Sequence, residues 1–129
     1  MDDDTDFCQL LEFNLERLGF TTFIASNGVE ALNIARSQLP DVVLLDLMLP
    51  DLDGLSVCEI LHSQPSTRDI PVFIVSALQE SWAGTRKSRA RFTGYFTKPV
   101  NLKSLGETVR AASKKHQAMM LSKLGDREL

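Results

Sequence analysis

The sequence predicts an α/β domain: a doubly wound parallel sheet with helices on both faces. Two observations predict it. Val42-Val43-Leu44-Leu45 and Val72-Phe73-Ile74-Val75 are short, continuous apolar runs, the pattern of strands covered on both sides. Around them, longer stretches carry apolar residues at helical spacing. Strands alternating with helices lead to right-handed crossovers and a parallel sheet. The chain has 129 residues, about one domain's worth.

Taken in order, Phe7, Leu10, Leu11, Leu15 and Leu18 form a helical stripe that Gly19 stops. Thr21–Ala25 is short, β-branched and aromatic, and reads as a strand. Asn27, with Glu30 after it, starts a second helix, which Val29, Leu32 and Ala35 carry to about Leu39 before Pro40. The apolar run Val42–Leu45 stops at Asp46. A loop from Leu47 to Asp53 follows, closing on Asp53-Gly54, and Val57, Cys58 and Leu61 mark a short helix. Pro71 opens a buried strand that ends at Ser76. Gln79–Arg91 reads as a weakly amphipathic helix, and Tyr95-Phe96-Thr97 as a strand ending at Lys98-Pro99. Asn101 caps a last helix through Leu102, Leu105, Val109 and Ala112, whose stripe continues through Met119, Met120 and Leu124. Spanning Leu102 to Leu124, it would be about 35 Å long at 1.5 Å per residue.

Composition excludes several function classes. The formal net charge is −3, so the total does not point to nucleic acid. The two cysteines, Cys8 and Cys58, lie far apart and form neither a disulfide framework nor a zinc motif, which fits a reducing cytoplasm. No apolar run approaches the roughly 18 residues of a membrane span. The start, Met1-Asp2-Asp3-Asp4, is acidic, unlike a signal peptide. The expectation is a cytoplasmic protein.

In parallel sheets of this kind, chemistry gathers outside the carboxyl ends of the strands. Those ends are Asp2-Asp3 (if a strand precedes them), Asp46, Ser76 and Lys98. Singly they are ordinary: an Asp after an apolar run is usually a loop starter, a terminal acidic run a solvated end, a Ser a helix cap, a Lys before Pro a turn residue. Jointly they make a site. Converging carboxylates repel unless a divalent cation sits between them, and an oxygen-only donor set suits Mg²⁺. With Lys98 supplying a point charge and Ser76 a hydroxyl donor, a phosphoryl group arriving on Asp46 would have its oxygens neutralised. A carboxylate nucleophile forming an acyl phosphate is known chemistry.

At these residues the chain resembles a family. Asp2-Asp3, "PDVVLLDLMLPDLDG", "PVFIVSA" and "YFTKP" look like the receiver domain of bacterial two-component response regulators, from Asp2 to about Ser113. The resemblance implies a flavodoxin-like sheet in strand order 2-1-3-4-5. It implies Asp46 as the phosphorylation site, with Asp3, Asp2 and the Met48 backbone carbonyl joining Asp46 around Mg²⁺. Lys98 would contact the phosphoryl group, Ser76 would move toward it, Tyr95 would swing inward, and Lys98-Pro99 would be cis. A sensor histidine kinase or phosphotransfer protein would be the donor, and an effector protein would read the face from 79 to 105. The chain would be no turnover enzyme beyond self-catalysed phosphotransfer and dephosphorylation. A phosphatase with an Asp nucleophile typically has a second Asp two residues on, where this chain has Met48.

Three departures stand out. The hydrophobic strand that should lead into the acidic pair is missing, and its place is central, between Thr21–Ala25 and Val42–Leu45. A truncated or misassigned start, a sheet that works without it as a dimer or with a swapped segment, or a strand from elsewhere (Ala118–Leu121 being the candidate) would each account for this. A receiver-type fold that binds partners without phosphorylation is the alternative function. Second, Arg91-Phe92 stands where the family usually has Gly-Ala, behind a basic segment with Arg86, Lys87, Arg89 and Trp82, read as a solvated helix in preference to a nucleic-acid surface. Third, residues 1–113 form the receiver domain and 114–129 a helical extension, through which Met119, Met120 and Leu124 would support self-association or continue toward a lost output domain. The chain would then act by protein contact alone.

Overall fold

In the computed structural model, residues 5–47, 49–77 and 92–128 are described, the last six as backbone. Met48, Asp2, Asp3 and the segment 79–91 with Trp82 therefore lie outside the described residues, as does the Leu124 side chain. Helix α1 spans Thr5–Arg17 and α2 spans Gly28–Gln38. Strand β1, Val43–Leu45, leads to α3, Gly54–Ser63. Strands β2, Val72–Ser76, and β3, Gly94–Thr97, precede α4, Leu102–Glu128. None of the described helices is long and apolar enough to cross a membrane.

The caps lie where local chemistry dictates. The Asn27 side chain accepts from the Glu30 N–H at 2.8 Å, starting α2. Leu39 closes that helix in the left-handed region at φ 46°, ahead of Pro40. Asp53 caps α3 by accepting from the Leu55 N–H at 3.0 Å, and Asn101 caps α4 by accepting from the Ser104 N–H at 3.0 Å. Gly19 follows α1 at φ 95°, a conformation open to glycine without strain.

The described strands form a three-stranded parallel sheet in the order β1-β2-β3. Val43 pairs with Val72, Leu45 with Ile74, Ile74 with Tyr95 and Ser76 with Thr97. Alternation along the strands separates two apolar layers. Val43, Leu45, Val72 and Ile74 pack with Ala35 of α2 and Leu55, Val57 and Leu61 of α3. Val42, Leu44, Val75 and Phe96 pack with Phe7, Leu11 and Leu15 of α1 and Leu105 and Val109 of α4. Helices thus cover both faces, the doubly wound arrangement the sequence predicts, and β2 is buried along its whole length.

Two expectations are corrected. Thr21–Ala25 carries no strand assignment. A strand exists by its ladder, and no described strand lies beside this segment. A cavity of about 660 Å³ lies there instead, lined by Leu11, Leu15, Ile24, Ile34, Leu44 and Val109 among others. The second correction concerns Ala118–Leu121, which is no strand but part of α4. That helix runs without a break across residues 113 and 114, about 40 Å in all at 1.5 Å per residue. Its fifth turn is fastened to the start of β1: His116 Nδ1 lies 3.0 Å from Asp41 Oδ1, and Gln117 donates to Asp41 Oδ2 at 3.0 Å.

Candidate functional site

Asp46 follows β1 directly, so the strand's carboxyl end delivers it to the sheet edge, where its residue is 7% exposed. Its backbone is held from the far side by α3. The Gly54 N–H donates to the Leu47 carbonyl at 3.0 Å. A Cβ on Gly54 would overlap the Asp46 carbonyl oxygen and stand 2.7 Å from Leu47 Cα. Only glycine permits so close an approach at this position.

Lys98 follows β3, and its ammonium reaches back to Asp46: Nζ to Oδ2 is 3.1 Å. The two side chains are 20% and 9% exposed, so the pair is mostly removed from water and each charge compensates the other. Backbone geometry sets this reach. The Lys98 N–H donates to the Ser76 carbonyl at 2.8 Å, which extends the β2–β3 ladder by one step, and the Lys98-Pro99 peptide is cis. Ser76, at the end of β2, is fully buried. Asp46, Ser76 and Lys98 therefore stand at the ends of three adjacent strands, as their sequence positions imply.

Tyr95 lies deeper in β3, half-buried, on the α2–α3 side of the sheet. Phe92 meets it edge-on with ring centroids 5.8 Å apart.

Three contributors were not visible as site residues in the sequence. Phe7 reads there as one apolar position of the α1 stripe, but its ring centroid lies 4.3 Å from Lys98 Nζ. This contact brings the N-terminal end of α1 to the site. Asp51 accepts from the Gly28 N–H at 2.6 Å and the Val29 N–H at 3.1 Å, tying the loop after Asp46 to the start of α2. These backbone donors, Gly28 first, hold the Asp51 carboxyl below its usual range against a smaller desolvation effect. Gly54 is the third, and the Asp-Gly turn signal was its only trace.

The donor chemistry fits a hard cation. Asp46 offers a carboxylate at the strand edge, and no His or Cys stands among the site residues. Among the described residues, no group of three or more His, Cys, Asp or Glu side chains converges, and the other implied ligands, Asp2, Asp3 and the Met48 carbonyl, lie outside them.

A doubly wound parallel sheet with an Asp–Lys pair and a buried Ser at successive strand ends is the arrangement that the resemblance to receiver domains implies. Comparisons with known proteins agree. Residues 1–110 match the response regulator receiver domain, and the chain belongs to that family. It is 35% identical over 111 residues to the alkaline phosphatase synthesis transcriptional regulatory protein PhoP of Bacillus subtilis, covering 86% of this chain and 45% of that protein. The chain thus spans about half the length of such relatives. The receiver domain of the Francisella response regulator 1452 superposes with a TM-score of 0.79 at 32% identity, covering 88% of this chain and 93% of that one. The receiver domain of the Pseudomonas aeruginosa sensor histidine kinase PA1611 gives 0.78 at 25% identity over 88% and 93% of the two chains, and in it a magnesium ion is coordinated in the active-site cleft.

Proposed function

We propose that this chain is a phosphorylation-dependent receiver that takes a phosphoryl group onto Asp46. The observation that carries the reading is the 3.1 Å pair of Asp46 and Lys98 at the sheet's carboxyl edge, beside Ser76. An Asp46 carboxylate oxygen attacks phosphorus in line. The bond from phosphorus to the donor breaks, its electron pair leaves with the donor group, and an acyl phosphate forms. Before transfer, Lys98 balances the carboxylate; afterwards its ammonium faces the phosphoryl oxygens. Bound Mg²⁺ would supply further charge neutralisation there, held by the Asp46 carboxylate together with Asp2, Asp3 and the Met48 carbonyl.

The donor is a sensor histidine kinase or a phosphotransfer protein. Ser76 and Tyr95 carry the change from the site to the face formed by residues 79–105, where an effector protein binds. The chain acts in the cytoplasm, and its only chemistry is transfer to, and loss from, its own Asp46. The match of residues 1–110 to the response regulator receiver domain supports a part in two-component signalling.

Incubation with acetyl phosphate and Mg²⁺ tests this. Wild type acquires one hydroxylamine-sensitive acyl phosphate, and Asp46→Asn does not. Equal labelling of both refutes the assignment. An unlabelled wild type favours a receiver-type fold that binds partners without phosphorylation.

A further inference from the structure

We propose that Phe7 is a positioning residue for Lys98 in phosphoryl transfer, an inference that rests on the phosphoacceptor reading of Asp46. Lys98 is a compact charge on a flexible four-carbon stem, and flexibility works against a fixed catalytic geometry. Its bond to Asp46 does not hold it throughout the reaction. When the acyl phosphate forms, an attacking Asp46 oxygen becomes a bridging ester oxygen and the carboxylate loses its charge. The Phe7 ring loses nothing in that step. Its centroid lies 4.3 Å from Nζ, within the distance at which a ring face attracts an ammonium.

The ring itself is anchored. It packs into the apolar layer formed by Val75, Leu105 and Val109 with Leu11 and Phe96 around them. One side of Phe7 is therefore fixed by the core while the other faces the ammonium. Lys98 is only 20% exposed, so water competes weakly for its charge. Phe7 holds the ammonium over the site both before and after the Asp46 charge is consumed.

The test uses the full chain, acetyl phosphate and Mg²⁺. Phe7→Tyr retains a ring face and labels at the wild-type rate. Phe7→Leu keeps an apolar side chain without a ring face and labels about two- to fivefold more slowly, the range expected for loss of one such contact. Replacement of Phe7 by phenylalanines of increasing fluorination weakens the ring's negative face at nearly constant shape. The rate then falls stepwise with fluorine content while the thermal midpoint holds. This series decides the matter even where Phe7→Leu fails to fold, because a purely structural role responds to shape and not to fluorine. A wild type that labels while the series stays flat overturns the Phe7 assignment and leaves the phosphoacceptor reading intact. A wild type that does not label overturns both.

Discussion

Gly54→Ala strikes the place where α3 meets the backbone of the phosphoacceptor. The added methyl would overlap the Asp46 carbonyl oxygen and lie 2.7 Å from Leu47 Cα, whereas carbon atoms rest at about 3.5–4.0 Å. The obstructing atoms are main chain, so no side-chain rotation relieves them, and the segment carrying Asp46 must move by roughly 1 Å. Overpacking of this kind costs about 1–3 kcal/mol. Replacing glycine by alanine also restricts the unfolded chain, returning about 0.4–1 kcal/mol, which leaves a net loss of roughly 1–2 kcal/mol. At about 2.1 cal/mol/K per residue, that corresponds to a fall of about 4–7 °C in thermal midpoint for a chain of 129 residues. Displacing a catalytic group by about 1 Å can also cost on the order of 100-fold in rate, so acetyl phosphate labelling falls much further than stability does. The assay pairs thermal melts followed by circular dichroism with labelling time courses. Gly106→Ala is the control. Its methyl would stand 2.8 Å from Leu18 Cδ1, the tip of a side chain that is 42% exposed and can turn away, so its midpoint stays level or rises. A Gly54→Ala protein with an unchanged midpoint and unchanged labelling would show that the α3–Asp46 contact does not constrain the site.

Leu61→Ala, at a fully buried position under the sheet, lowers unfolding free energy by about 2–5 kcal/mol in urea titrations, with less effect on labelling per unit of stability lost than Gly54→Ala. Asp51→Asn lowers the urea midpoint at neutral pH. The Asp51 carboxyl is held below its ordinary value of 3.8, so its contribution is fully present above that value and disappears as pH falls through the lower folded value. The gap between wild type and Asp51→Asn therefore closes below pH 3.8, and a gap independent of pH would contradict the capping role. Asp41→Ala releases the fifth turn of α4 from the start of β1, and amide hydrogen exchange around His116 and Gln117 speeds up while the first turns of α4 keep their protection. Uniform protection along the helix would show that the Asp41 contacts do not hold it.

Much of this arrangement was legible because it follows from local rules. The Asn27 and Asn101 caps, the arrest of α2 before Pro40, and the buried runs of β1 and β2 each need only a few neighbouring residues. Asp46, Ser76 and Lys98 were legible for the same reason, since a residue that ends a buried strand in a parallel sheet arrives at the sheet's functional edge wherever the rest of the chain goes. Thr21–Ala25 shows the limit. Its β-branched composition suits a strand, but a ladder needs a neighbour, and the cavity beside β1 stands where that neighbour was expected.

The sequence by itself therefore determined the alternation of elements, the family and the three side chains at successive strand ends, because periodicity and strand position are one-dimensional properties. Tertiary structure alone decided what approaches those side chains. Phe7 meets Lys98 from 91 positions away in the chain, Asp51 reaches back 23 to Gly28, and Asp41 reaches forward 75 to His116. Such contacts depend on how helices settle against the sheet, and packing of that kind is set by the whole core at once, not by any segment of it.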